Sequence, residues 1–198
     1  MNEKLFIFVL LIIIFIIVKQ GFSLAETKPV TGNMDRSIIC TAVVNAGKQP
    51  ADKIFYFFSH LDKYYLELSP GHKKFQILDA QVLAKGVHIA VEENAGGQYV
   101  IHKYEVTEFI LNKQIRLMSS PSIVKVGPFN IEVLTIVEFN ITSDIDKEVT
   151  LVSSTLTLEF KSIASYYFAK LFRVKDVWES HLKEEMSNGM KIVESEKF

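Results

Sequence analysis

The sequence predicts an α+β fold, a curved antiparallel sheet of about seven strands wrapped around one long C-terminal helix, with two short helices after the first strand. Three features predict it. Consecutive β-branched segments are joined by short turn signals across the middle of the chain, as an antiparallel sheet requires. The stretch from Ser165 to Glu196 lacks proline and repeats apolar residues at spacings of three and four. A sheet with one apolar face needs a cover, and that C-terminal segment is the only element long enough.

The elements follow in order. RSIICTAVV, from Arg36 to Val44, is rich in β-branched residues and reads as the first strand. KQPADKIFYFFSHLDKYY starts with Pro50 and Asp52 and places Ile54, Phe55, Phe57, Phe58 and Leu61 at helical spacing. That pattern predicts one or two short helices with a buried aromatic face. Six probable strands come next: KKFQILDAQV, VHIAVEE, QYVIHKYEVTEFI, QIRLMSS, FNIEVLTIVEFNIT and EVTLVSSTLTLEF. Lys85-Gly86, Asn94 to Gly97, Leu111 to Lys113, Pro121 and Ser143-Asp144 punctuate them. The C-terminal segment reads as a single amphipathic helix, with a kink expected near Asn188-Gly189.

The N-terminus carries Lys4 and then an unbroken apolar run of 14 residues, Leu5 to Val18, short for a membrane span and fitting a secretory signal. Ser23, Leu24 and Ala25 form an A-x-A type of cleavage site. The expectation is a signal peptide over 1–25, a polar linker over 26–35 and one domain over 36–198, exported to the periplasm or secreted. The alternative is an uncleaved anchor, which makes the N-terminal segment the chain's membrane contact. Export invites disulfides, yet Cys40 is the single cysteine, so no internal bridge forms and the local sequence reads as a buried strand thiol. Without residues 1–25, Lys+Arg falls from 22 to 20 and Asp+Glu from 23 to 22, a net charge of −2. No basic block or basic–aromatic alternation offers a nucleic-acid surface.

Four positions concentrate candidate metal ligands. His72 stands behind Pro70-Gly71 at the entrance to a strand. In VHIAVEE, if Val87, Ile89 and Val91 face the core, a period of two puts Glu93 on that face and turns Glu92 and His88 outward. A carboxylate there is costly to bury unless it is paired or metal-bound. On the terminal helix, His181 and Glu185 lie one turn apart at the edge of the stripe formed by Trp178, Leu182, Met186, Met190 and Val193. That geometry permits a metal-facing pair without demanding one. Alone, each residue reads as ordinary surface or turn chemistry. Together they supply two imidazoles and two carboxylates, a set suited to Zn²⁺ or a similar divalent ion.

The order of elements resembles the START-like helix-grip (SRPBCC) superfamily, in which a sheet curved around one helix leaves a cavity for a small ligand. Within it, HLDKYYLELSPGHKKF, the E-x-x-G-G of Glu93 to Gly97 and the H-x-x-x-E of His181 to Glu185 resemble the diacetylphloroglucinol hydrolase and phloretin hydrolase family. The resemblance spans roughly Gln49 to Glu196, carried by three short motifs, and implies zinc at the matching positions His72, Glu93, His181 and Glu185. It also implies hydrolysis of a carbon–carbon bond between an aromatic ring and an acyl group. Export and a short N-terminal region depart from that family, so the identity of the substrate within that acyl-aromatic class does not carry over.

His102 and Tyr104 share a strand face and are the candidate catalytic pair, donors to a substrate carbonyl or to a leaving carbanion; a plain cross-strand role is the alternative. His60 reads as a cap or surface residue, and Tyr64, Tyr65, Tyr166 and Tyr167 as core or as lining for an aromatic ligand. Asn140-Ile141-Thr142 matches a glycosylation sequon. The functional expectation is a metal-dependent hydrolase acting on a carbonyl in a small hydrophobic or aromatic molecule. The alternatives are a non-catalytic carrier of such a ligand and a metal-free polyketide cyclase.

Overall fold

The computed structural model describes residues 36–195 apart from 96, 127–128 and 145–147. The expected signal peptide and linker therefore lie outside the described residues. Strand β1 (Ser37–Asn45) leads to helices α1 (Ala51–Ser59) and α2 (Leu61–Leu68). Strands β2 (His72–Ile77), β3 (His88–Ala95), β4 (Gln98–Ile110), β5 (Gln114–Ser119), β6 (Ser122–Val126), β7 (Phe129–Asp144) and β8 (Val149–Phe160) follow. Helices α3 (Ile163–Leu171) and α4 (Val174–Ser195) close the chain. The sheet is antiparallel, with eight strands in the order β1-β8-β7-β5-β4-β3-β2, and β6 pairs with β4 and β7.

Each element buries the face its pattern predicts. Ile54, Phe55, Phe57 and Phe58 of α1 and Leu61, Tyr65 and Leu68 of α2 turn into the core. Along α4 the buried stripe is Val174, Trp178, His181, Leu182, Met186, Gly189, Met190 and Val193. Burying a large apolar side chain of this kind contributes about 1.5–3 kcal/mol, so α4 is held mainly by this stripe. On β3 the inward residues are Ile89, Val91, Glu93 and Ala95; on β4 they are Gln98, Val100, His102, Tyr104 and Val106. The register His72↔Glu93 and Glu93↔Val100 places the ends of β2, β3 and β4 side by side.

Four expectations need correction. The C-terminal segment is two helices, broken at Phe172 and Arg173, where Arg173 takes a φ of 53°. No proline or glycine marks the break, so the apolar spacing runs through it unannounced. The helix continues through Asn188-Gly189 without interruption. Gly189 serves contact instead: a Cβ there would lie 3.0 Å from the Phe57 ring. Residues 78–82 leave the sheet after Ile77, and SIVKV after Pro121 forms the additional strand β6, too short to announce itself by alternation.

Cys40 is fully buried, and burial first, then the Glu179 charge, pushes its thiol up to about 12. This thiol is inert at neutral pH. Among the described residues, no helix is long and apolar enough to cross a membrane.

Candidate metal centre

The structure brings His72, Glu93, His181 and Glu185 together. One ligand atom from each lies within 4.8 Å of all the others. They come from three elements: the first residue of β2, the inward face of β3 and the buried edge of α4. His72, Glu93 and His181 are buried, and the Glu185 side chain keeps 16% of its surface exposed.

His72 is held on three sides. Gly71 precedes it because β2 runs so close to β3 that a Cβ would sit 2.2 Å from the Asn94 carbonyl oxygen. The Asn94 amide donates to the Gly71 carbonyl at 2.8 Å, which locks the approach. The imidazole stacks on the Tyr65 ring at 3.8 Å with 8° between planes. Its Nδ1 donates to the Tyr65 carbonyl at 2.6 Å. Because a carbonyl only accepts, Nδ1 carries a proton, and Nε2 is the nitrogen free to ligate. That Nε2 is buried, with Glu185 Oε1 at 2.5 Å and Glu93 Oε2 at 3.4 Å.

The other contacts have the spacing of a coordination shell. His181 Nε2 is 3.4 Å from Glu93 Oε2 and 3.3 Å from Glu185 Oε1. A tetrahedron with zinc–ligand bonds of about 2.1 Å has edges of about 3.4 Å, so three of the measured edges match and the His72–Glu185 edge is compressed. The donor set thus fits a divalent ion. Glu93 Oε2 also accepts from the Tyr65 hydroxyl at 3.0 Å, so Tyr65 supports both ligands contributed by the sheet.

Charge makes the same point. Two carboxylates facing each other inside a protein need two positive charges. Without an ion, the imidazoles supply them. Burial pulls His72 down, but the Glu185 and Glu93 carboxylates outweigh it and hold it up at about 9. Burial likewise pulls His181 down, and the same carboxylates raise it to about 10. Burial pushes the Glu93 carboxyl up, yet hydrogen bonds and charge from His181 and His72 prevail and keep it low. One divalent cation with neutral imidazoles balances the cluster equally well.

No protein-family model matches this sequence, and no curated protein matches it. Solved structures do. Truncated norcoclaurine synthase from Thalictrum flavum aligns with a TM-score of 0.61 at 14% identity, covering 86% of this chain and 100% of its own. The Zhui aromatase/cyclase from a Streptomyces species aligns at 0.58 and 13%, covering 80% and 94%. A major latex-like protein from Panax ginseng aligns at 0.56 and 9%, covering 78% and 96%. The chain has the helix-grip fold.

In this helix-grip frame the remaining candidates fall into place. His102 and Tyr104 face inward on β4, paired across to Val91 and Ile89 of β3, and are not among the four clustered residues. Ser122 Oγ lies 2.6 Å from His102 Nδ1. Burial holds the His102 imidazole down, against a smaller upward pull from Glu93, so it is neutral at pH 7. Burial, then Glu93 and Glu185, keeps the Tyr104 hydroxyl protonated. Glu92 points outward and accepts from the Tyr99 hydroxyl, and His88 pairs with Asp79 on the surface. His60 sits at the α1–α2 junction, stacked on Tyr56. An apolar cavity of about 30 Å³ between Phe57, Phe58, Phe139 and Met186 ends at Glu185. From the sequence Tyr65 reads only as core or lining; the signal for more is its place at Leu61, Tyr65, Leu68 spacing, shortly before the Pro-Gly-His segment.

Proposed function

We propose that this helix-grip chain is a metal-dependent hydrolase acting on a carbonyl, with His72, Glu93, His181 and Glu185 holding Zn²⁺ or another divalent ion. One observation carries the reading: four donor atoms from three separate elements meet within 4.8 Å, three of the four residues buried. Such an ion, when bound, polarises a carbonyl oxygen and lowers the pKa of water to about 7. The substrate class that the sequence resemblance suggests is an acyl-aromatic ketone. Its hydrolysis places the water's hydroxyl on the acyl carbon and the remaining proton on the ring carbon. His102 and Tyr104 are the residues proposed to deliver that proton, since both face the core and Tyr104 stays protonated in the field of Glu93 and Glu185. Phe57, Phe58 and Phe139 supply the apolar wall beside Glu185. The N-terminal segment marks the protein for export in the same proposal.

Likeness in fold to norcoclaurine synthase and an aromatase/cyclase favours a second reading, a cavity that binds or cyclises a small aromatic ligand without metal. Elemental analysis of protein reconstituted with zinc and then dialysed separates the two. The hydrolase reading expects one equivalent, lost in His181→Ala, and zinc-dependent release of carboxylic acid from a panel of acyl phenols. A metal content below about 0.2 equivalents sinks it in favour of the second.

A further inference from the structure

The exposed face of α3 is the wrong way round for a solvent-facing helix. At about 100° per residue, Ile163, Tyr167, Lys170 and Leu171 share one arc of about 100°. Ile163 is 53% exposed, Tyr167 62% and Leu171 69%, and Phe172, at the break that follows, 46%. Ala169 is fully buried on the opposite side. A contiguous apolar patch of this kind marks an interaction surface. Cations frame it: Lys161 precedes the helix, Lys170 lies within the patch with its ammonium 4.7 Å from the Tyr166 ring, and Arg173 follows. Lys161 and Arg173 pair with Glu132 and Asp176, while Lys170 has no carboxylate partner within salt-bridge distance among the described residues.

The entry of the chain into the domain indicates what covers this face. Arg36 Nη1 donates to the Lys161 carbonyl at 2.9 Å, next to Ser162, whose Oγ caps the first turn of α3. The polypeptide that carries the apolar run Leu5–Val18 therefore joins the domain at the foot of this helix, after an intervening 17 residues. An extended chain of that length reaches at most about 60 Å, so where the N-terminal run is left uncleaved as the anchor, the domain is confined within reach of the bilayer. The end held nearest is the end bearing Ile163, Tyr167, Leu171 and Phe172. Aromatic and aliphatic side chains interleaved with Lys and Arg are the composition of an interfacial helix.

We propose that α3 and the Phe172-Arg173 junction form a membrane-docking surface that seats in the interface of an anionic bilayer. Beneath α3, Phe160, Ala169, Val174 and Trp178 line one apolar pocket, so docking turns this end of the grip toward the lipid. The surface stands on exposure, composition and chain entry, and does not depend on the metal centre.

The test uses the full chain carrying Leu171→Cys, labelled with an environment-sensitive fluorophore. Cys40 is buried and unreactive, which makes the label specific. Tyr167→Cys is the second reporter, and Leu111→Cys, at an equally exposed apolar position in the β4–β5 turn, is the control. In vesicles of phosphatidylcholine and phosphatidylglycerol, labels at 171 and 167 shift to the blue and are quenched by a quencher carried on the lipid chain. The label at 111 keeps its spectrum in water. Lys170→Ala lowers the docked-to-undocked ratio about fivefold, the share of one basic residue at an anionic surface. Water-like, unquenched labels at 171 and 167 overturn the proposal. Equal quenching at 111, or energy transfer between labelled chains without vesicles, overturns it too, the latter assigning the face to a second copy.

Discussion

Tyr65→Phe isolates the support given to the proposed metal ligands. The substitution keeps the ring that stacks on His72 at 3.8 Å and the backbone carbonyl that holds Nδ1, and removes only the hydroxyl donated to Glu93 Oε2 at 3.0 Å. A buried hydrogen bond to a charged acceptor contributes about 1.5–3 kcal/mol. At 1.4 kcal/mol per tenfold, that converts to a loss of roughly 10–100-fold in zinc affinity, the range seen when groups supporting metal ligands are removed. The molecule contains its own control. Tyr99 donates to Glu92 at 2.5 Å in the same residue pairing, but on the outer face of the sheet. Competition against a chromophoric chelator measures both variants: Tyr65→Phe falls by the stated factor and Tyr99→Phe stays at the wild-type value. Equal affinities for wild type and Tyr65→Phe, or an equal fall in Tyr99→Phe, refute the assignment of Glu93 and its support.

Gly71→Ala meets the Asn94 carbonyl at 2.2 Å, so β2 must move and take His72 with it; zinc affinity and melting temperature fall together, whereas Tyr65→Phe mainly lowers affinity. Gly189→Ala presses on the Phe57 ring from 3.0 Å and costs about 1–3 kcal/mol of stability, read as a drop in thermal midpoint with the metal content unchanged. The metal-free protein has a pH window of its own. His72 and His181 are raised from 6.5, so their contribution is complete below that value and is lost as pH rises through about 9 and 10. Glu93 is lowered from 4.5 to about 2, so its contribution is present above 4.5 and lost on acidification through about 2. Urea melts in chelator then show lower stability at pH 10 than at pH 7; unchanged midpoints refute the charge pairing.

Most of the fold is legible in the chain because it rests on local periodicity. The alternation of β3 and β4 separates Glu93 from Glu92 and turns His102 and Tyr104 inward, and the three-four spacing of α4 sets His181 at the edge of its stripe. The break at Phe172-Arg173 and the strand β6 were not legible. The break uses an arginine at positive φ, with no glycine to announce it, and β6 is a five-residue strand that pairs with its neighbour β7 and, through Lys125 and the distant Tyr99, with β4. The supporting role of Tyr65 was hidden for a related reason: its hydroxyl acts on a residue 28 positions downstream.

By itself the sequence determined the helix-grip order of elements, the apolar face of each and the kinds of ligand atom those faces carry, because patterning acts over a few residues. Only the tertiary structure decided that two imidazoles and two carboxylates come within 4.8 Å of one another, that Gly71 must lack a side chain and that α3 leaves its apolar face exposed among the described residues. Those facts depend on which strands pair and how closely helices lie against them, and such distances arise when the chain closes on itself.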